Sequence, residues 1–298
     1  MFWIVLAILA HFFWALVNVG DKYVITNKIK NPFVYMTWLF NLSFLLLILV
    51  PFIDFYILDW NLMLILAIGS GLYFYGGLPY IKAMQIEEAT RINVLWSFIP
   101  LFTLILGFIF LGQELSVTQL VAFVILISGG ILATIHFKKR TIVLSKAIWY
   151  MITACICYSI YAILFSFVLY QVSFVVAFIW LNLFAGFWSF TALLWPSLRR
   201  DYFSELKVLK PKLAGIVLGI SILDHVGIFF NAWALSLGIV ALVFAFEGFQ
   251  VLFVFVMATM ISIFAPKIFR EELDKKNIIL KVIALILMII GILILNLG

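Results

Sequence analysis

The sequence predicts an all-α membrane protein of ten transmembrane helices, arranged as two inverted repeats of five helices each. The first observation is composition, because 67% of the 298 residues are hydrophobic and only 11% are charged. A soluble domain has about 45–50% apolar and about 25% charged residues. The second observation is a series of long apolar segments, and the third is a strict alternation of charge between the connecting loops. Together they exclude a soluble enzyme, a secreted disulfide scaffold and a coiled coil.

Ten apolar segments are each long enough to cross about 30 Å of hydrocarbon as a helix. The segments are predicted over residues 2–20, 33–53, 61–82, 90–111, 117–136, 146–169, 173–196, 213–236, 239–265 and 278–297. Turn-forming residues such as Asn31-Pro32, Pro211 and Pro266 separate them. The first segment is therefore predicted to end before Asp21 and Lys22, as a span and not as a cleaved signal peptide.

The 19 lysine and arginine residues all lie in or beside the loops that follow the odd-numbered segments. The loops after the even-numbered segments carry none. This alternation supports the count of ten segments, because one missed segment would place cations on both sides of the membrane. Cations mark the cytoplasmic side of a membrane protein, so both chain termini are predicted to face outward. Because the charge is spread over short loops, no basic domain surface is left for nucleic acid, and the lipid bilayer is the predicted macroscopic partner.

The chain repeats itself weakly, in halves predicted over residues 1–137 and 145–298 with a basic linker over 138–144. At an offset of 151 residues, seven first-half positions meet identical second-half residues, namely Ser70, Leu72, Gly76, Ala83, Phe98, Leu101 and Phe102. Each half holds five segments. Because five is an odd number, the first half ends on the opposite side of the membrane, and the second half enters the membrane from that side. Such an inverted repeat is a feature of many secondary transporters.

One stretch between Tyr80 and Leu132 resembles the EamA-like permeases of the drug/metabolite transporter superfamily. Its family-like features are Ala89, the mid-segment Pro100, the Phe110-Leu-Gly-Gln-Glu-Leu115 ending and Gly129-Gly130, with a weaker version around Glu271-Glu272-Leu273 and Gly291. The resemblance implies a plasma-membrane transporter that exports a small polar metabolite, such as an amino acid or an amine, by alternating access. Members of the superfamily are usually drawn with cytoplasmic termini, and the cation count predicts the reverse here.

Few ionisable residues lie inside the apolar segments. A charge at mid-bilayer costs at least about 2.5–3.5 kcal/mol, so such residues are functional candidates. Asp224 and Asn231 share a helical face that is predicted to bind substrate, with Asp224 binding a cation, a proton or a substrate amine. The alternative is a structural hydrogen bond to a neighbouring helix, or a pairing with His225 or His11.

Glu247 is the second buried acid, and burial favours the neutral form of a carboxyl group. It is therefore predicted to bind substrate and, with Asp224, to couple proton movement to transport. The alternative is a neutral side chain bonded to backbone or to Gln250. Its first-half counterpart is Trp96, and that of Asp224 is Tyr73, so acids and aromatics are predicted to share one substrate site.

Polar and aromatic faces complete the predicted cavity. His11 and Trp14 share a face of the first segment, Asn93 and Trp96 share a face of the fourth, and Tyr161 lies on the sixth. Such an acidic, aromatic cavity suits a cationic or zwitterionic solute through cation–π contact. The alternatives are plain packing for the aromatic residues and a satisfied core histidine for His11.

No phosphate-binding loop, metal cluster or nucleophile–base pair is visible in the sequence. The chain is therefore predicted to be neither an enzyme nor a binder of a metal or cofactor. A monomer is expected, with a homodimer as the alternative state. The competing functions are a flippase for a lipid-linked substrate and an intramembrane lipid-modifying enzyme.

Overall fold

The computed structural model describes residues 2–29, 31–87, 89–96, 98–134, 146–207 and 209–265, with helical positions at 279, 282–283, 286–287 and 289–294. The predicted linker over 138–144 and most of the tenth predicted segment lie outside the described residues. No β-strand occurs among the described residues, which confirms the all-α prediction.

Twelve α-helices are described in chain order. They are α1 (Phe2–Asn27), α2 (Pro32–Asn41), α3 (Trp60–Ile86), α4 (Ala89–Leu95), α5 (Phe98–Leu111), α6 (Val117–Thr134), α7 (Ala147–Leu169), α8 (Phe174–Thr191), α9 (Pro196–Lys207), α10 (Pro211–Leu235), α11 (Val240–Ala245) and α12 (Glu247–Phe264).

Within the described residues, seven helical segments are long and apolar enough to cross a bilayer. They cover Phe2–Ile25, Pro32–Phe52, Trp60–Ile86, Ala147–Leu169, Phe174–Thr191, Pro211–Leu235 and Val240–Phe264. Two shorter apolar helices cover Phe98–Leu111 and Val117–Gly129. The chain is therefore a multi-pass helical membrane protein, as its composition predicts.

Three predicted segments are not the uninterrupted α-helices that hydropathy alone implies. The second continues from α2 into a 3₁₀ helix over Leu42–Phe52. The fourth is divided into α4 and α5 around Trp96, and the ninth is divided into α11 and α12 at Phe246. Hydropathy averages over a window and does not record the local hydrogen-bond pattern, so it could not detect these interruptions.

The cation-rich stretch after α8 is an additional helix, α9, where the sequence predicts only a loop. Asn31 accepts a hydrogen bond from the Phe33 amide at the start of α2, and its amide nitrogen donates to Asp201 of α9 at 2.9 Å. The Asn41 amide nitrogen at the end of α2 donates to the Tyr202 hydroxyl at 3.1 Å. Helix α9 is therefore attached to both ends of α2.

Two helix pairs make the most extensive contacts in the bundle, α1 with α10 and α3 with α7. A glycine sits at each contact. A β-carbon added at Gly227 of α10 would lie 2.8 Å from Nε1 of Trp14, and one added at Gly76 of α3 would lie 2.8 Å from Cβ of Cys157. The absence of a side chain at these positions lets both pairs approach closely.

Candidate functional site

A cavity of about 80 Å³ lies among the helices near the middle of the bundle. Six tyrosine and tryptophan side chains line it, namely Trp14, Tyr73, Tyr80, Trp96, Tyr158 and Tyr161. Its three acidic side chains are Asp21, Asp224 and Glu247. No lysine or arginine is among the described residues that line it. The cavity therefore combines aromatic walls with three carboxyl groups that face no lysine or arginine among the described residues.

Six of the nine side chains predicted to bind substrate lie on the wall of this cavity. They are Trp14, Tyr73, Trp96, Tyr161, Asp224 and Glu247. Of the other three, His11 and Asn93 are buried directly behind the wall and bond to wall residues. Asn231 is fully buried, and both polar atoms of its amide have no hydrogen-bond partner among the described residues.

Asp224 enters the cavity from the middle of α10. The Tyr73 hydroxyl lies 3.3 Å from its Oδ2 and 3.5 Å from its Oδ1, and the Trp14 indole also donates to this carboxyl group. Both distances exceed those of a good hydrogen bond to a carboxylate. The neighbouring His225 turns away, because its ring bonds to the Ser43 hydroxyl and to the Ser221 carbonyl. Asp224 therefore keeps most of its accepting capacity free.

Glu247 begins α12, and its carboxylate lies against a buried histidine. Oε2 of Glu247 is 3.3 Å from Nδ1 of His11, and the same nitrogen is 3.1 Å from Oε1 of Gln250. A proton on Nδ1 of His11 can therefore be donated to either of these two oxygens. The opposite ring nitrogen, Nε2, has no partner among the described residues. His11 thus supports Glu247 from behind and does not face the cavity.

A chain of amide side chains continues from this pair across the bundle. The Gln250 amide nitrogen donates to Oδ1 of Asn93 at 3.1 Å, and the Asn18 amide nitrogen donates to the same oxygen at 2.5 Å. The Tyr80 hydroxyl lies 2.8 Å from Oδ1 of Asn18. These bonds join α12, α4, α1 and α3 around the cavity. Asn93 therefore has a positioning role in the described structure.

Asp21 is an acidic residue of the cavity that the sequence does not predict as part of the site. It is 2% exposed, and it accepts hydrogen bonds from the hydroxyls of Tyr35 at 2.5 Å and Tyr80 at 2.9 Å. The prediction that the first span ends before Asp21 is wrong, because α1 continues to Asn27.

A helical spacing could have identified Asp21. Trp14, Asn18 and Asp21 are four and three residues apart, which places them on one face of a helix. The adjacent Lys22 masked this signal, since a charged pair normally marks a span end. In the structure the Lys22 ammonium donates to the backbone oxygens of Met84 and Glu87 near the end of α3.

Trp96 and Glu247 reach the cavity from the two interrupted helices. At the first interruption the Ile99 amide donates to the Trp96 carbonyl at 2.8 Å, and at the second the Phe249 amide donates to the Phe246 carbonyl at 2.8 Å. Interrupted helices at mid-membrane depth expose backbone polar groups where they face a cavity. Each interruption thus has a backbone hydrogen bond between residues three apart, and Trp96 and Glu247 beside them line the same cavity.

These features define a class: a multi-pass membrane protein whose helices enclose an acidic, aromatic cavity. Residues 1–135 match the model of the EamA-like transporter family. The predicted resemblance to the EamA-like permeases of the drug/metabolite transporter superfamily is thereby confirmed over this part of the chain.

Comparison with solved structures extends the likeness in fold to the second half. One crystal structure of a protein is similar with a TM-score of 0.67 and 16% sequence identity, over 98% of this chain and 96% of that chain. At this identity the similarity concerns the fold alone. No curated protein matches the chain.

Proposed function

We propose that this protein is a secondary active transporter that exports a small cationic or zwitterionic metabolite, an amino acid or an amine, across the plasma membrane by alternating access. The observation that carries this proposal is the cavity, whose wall has three carboxyl groups and six tyrosine and tryptophan rings and, among the described residues, no lysine or arginine. Such a surface attracts an ammonium group through charge and through cation–π contact. The protein acts as a monomer in this proposal.

Internal symmetry supports the proposed arrangement of ten spans as two inverted five-helix repeats over 1–137 and 145–298. Gly76 and Gly227, which are 151 residues apart, each sit in one of the two closest helix contacts. Trp96 and Glu247, also 151 residues apart, each lie at a helix interruption. Rocking of one repeat against the other about a central site is the usual mechanism of such folds.

The connections on one side of the bundle are held together, which supports a conformation that is closed on that side. Gln113 follows α5, and its amide nitrogen donates to the Tyr170 hydroxyl at the end of α7 at 2.6 Å. Its side-chain oxygen accepts from the Val240 amide at the start of α11 at 3.3 Å. These connections carry no lysine or arginine, so in the proposed orientation, with both termini outside, they face the exterior.

Proton coupling is the proposed source of energy, with Glu247 and Asp224 as the coupling residues. Both carboxyl groups line the same cavity, and neither has a lysine or arginine partner among the described residues. A substrate cation and a proton would then compete for the same carboxyl oxygens. Binding of the substrate would then require release of the proton, and binding of the proton would require release of the substrate.

The apolar crevice between the 3₁₀ helix and α10 supports a metabolite carrier over a lipid flippase. Its polar side chains, Ser221 and His225, bond within the protein, to the Leu39 carbonyl and to Ser43. A lipid headgroup moving through this crevice would meet mostly leucine and phenylalanine side chains, which offer it no hydrogen bond. The carboxyl groups lie instead in the central cavity.

The experiment is uptake of labelled amines and amino acids into proteoliposomes under an imposed pH gradient. We expect gradient-driven transport by the wild type, loss of at least tenfold in Asp224→Asn, and loss of pH dependence in Glu247→Gln. Asp59→Asn is the matched control, because Asp59 lies before α3 and its side chain makes no capping bond. Transport that persists unchanged in Asp224→Asn would refute the proposed site.

A further inference from the structure

We infer that the cavity takes a linear diamine, with one ammonium group held by Asp224 and the other by Asp21. This inference rests on the proposed function and names the substrate class of the same site. Three features carry it: the charge of the cavity, the separation of the two carboxyl groups, and the aromatic wall that connects them.

Charge is the first feature. Glu247 has His11 beside it at 3.3 Å, whereas Asp21 and Asp224 have no lysine, arginine or histidine partner among the described residues. A buried carboxylate without a cation is strongly disfavoured, and two that face one cavity also repel each other. A monoamine would compensate one of these groups. A ligand with two positive groups compensates both.

Separation is the second feature, and the register of α1 against α10 indicates it. A β-carbon added at Gly20 would lie 2.8 Å from Cγ1 of Ile220, and one added at Gly227 would lie 3.4 Å from the Ala10 carbonyl oxygen. Asp224 is therefore level with α1 some five to eight residues before Asp21. At about 1.5 Å per residue, the backbone positions of the two acids lie about 8–12 Å apart along the helix axis.

Helix α3 gives an independent measure of the same separation. Tyr73 contacts Asp224 and Tyr80 contacts Asp21, and these tyrosines are two helical turns apart on one helix. Two turns correspond to about 11 Å between the backbone positions, from which both side chains reach into one cavity. The nitrogens of an extended diamine of four to six carbons are closer together than this, and a hydrogen bond of about 2.7–2.9 Å from each ammonium group to its carboxylate spans the remainder.

The aromatic wall is the third feature, because it runs from one acid to the other. Ring centroids of Tyr73 and Tyr158 are 5.2 Å apart, those of Tyr158 and Trp96 are 5.1 Å apart, and those of Trp96 and Tyr80 are 5.1 Å apart. These four residues line the cavity without a gap between the two carboxyl groups. Their faces suit the methylene chain of a diamine, and the ring electrons favour its charged ends.

The two carboxyl groups differ in how the protein holds them. Tyr35 and Tyr80 each donate to a different oxygen of Asp21, which sets the orientation of that carboxylate and leaves lone pairs for a ligand. Asp224 has the long contacts to Tyr73 and a hydrogen bond from the Trp14 indole, and it adjusts to the ligand. Because its orientation is fixed, Asp21 selects substrates by their length. Asp224 binds an ammonium group that every amine has.

The experiment is calorimetric titration of the purified full-length protein in nanodiscs with diamines from ethylenediamine to diaminohexane and with butylamine and hexylamine. We expect an affinity optimum between four and six carbons, at least tenfold above the monoamine of equal length. Asp21→Asn should remove the difference between diamine and monoamine, and Asp59→Asn should keep it. Asp21→Glu retains the charge on a longer side chain and should shift the optimum toward shorter diamines.

The outcomes separate this inference from the proposed function. A series in which affinity does not depend on diamine length, or equal affinity for diamine and monoamine in the wild type, would overturn the diamine inference and leave amine transport standing. Failure of every amine to bind would overturn both. Should Asp21→Asn not fold, the wild-type length series and Asp21→Glu still decide the question.

Discussion

The hydroxyl of Tyr80 lies 2.9 Å from Oδ2 of Asp21. The same hydroxyl lies 2.8 Å from Oδ1 of Asn18, and it has one proton to donate. With Asp21 ionised, Tyr80 donates to the carboxylate. When Asp21 carries a proton, it donates to Tyr80, which then donates to Asn18. Tyr80 therefore links the charge of Asp21 to the amide chain that reaches Glu247.

Replacement of Tyr80 with phenylalanine tests this link. Asp21 would lose one of its two tyrosine donors, and a hydrogen bond to a charged group contributes about 1.5–3 kcal/mol. We expect the free energy of unfolding of Tyr80→Phe to fall by that amount in denaturant titrations at neutral pH. Tyr56→Phe is the control, because the Tyr56 side chain is exposed. Equal stability of the two variants would contradict the link.

Asn93 and Asn231 are both fully buried and provide a matched pair of substitutions. Asn93→Leu leaves the amide donors of Asn18 and Gln250 without their acceptor, at a cost of about 1–3 kcal/mol for each buried group. Asn231→Leu removes an amide that has no hydrogen-bond partner among the described residues and should leave the free energy of unfolding equal or higher.

Denaturant titration measures both asparagine variants, and substrate transport serves as a second readout. We expect Asn93→Leu to lower stability and transport together. Since Asn231 also remains a predicted substrate-binding residue, a loss of transport in a stable Asn231→Leu would support that role. A strongly destabilised Asn231→Leu would show that its amide has a bonding partner after all.

Gly227 and Gly219 occupy the same helix and differ in their surroundings. A β-carbon at Gly227 would meet the Trp14 ring at 2.8 Å, whereas none of the described atoms lies within 4 Å of one at Gly219. We expect Gly227→Ala to cost about 1–3 kcal/mol by overpacking and to displace Trp14 in the cavity wall. Gly219→Ala should stabilise α10 by up to about 1 kcal/mol through its higher helix propensity. Thermal unfolding of both variants checks the contrast.

Gln113 holds together the connections that follow α5, α7 and α10. In Gln113→Ala both hydrogen bonds are lost, so the closed arrangement on this side should become less populated. Spin labels at Ser116 and Leu237 should then report a larger fraction of long distances in pulsed electron resonance. Gln119→Ala is the control, because the side chain and amide of Gln119 bond to Ser116 at the start of its own helix. Identical distance distributions in the two variants would argue against a closing role for Gln113.

Much of the site could be predicted from residue types that are costly in lipid. Asp224 and Glu247 stand out within apolar segments, and their counterparts at an offset of 151 residues, Tyr73 and Trp96, line the same cavity. Asp21 could not be assigned to the cavity from the sequence, because together with the adjacent Lys22 it resembles the end of a membrane span. A linear sequence does not show that two adjacent charged side chains point to different helices.

Composition and segment length are enough to predict a membrane protein of apolar helices, because the free energy of transferring side chains into lipid depends on these two properties. The sequence also contains the family-like features of the first half. The positions of the helix interruptions, the presence of α9, and the placement of Asp21 in the same cavity as Asp224 became visible only in the folded chain. Those properties depend on contacts between residues far apart in the chain, such as Tyr80 with Asp21 and Gln250 with Asn93, which local pattern and composition do not specify.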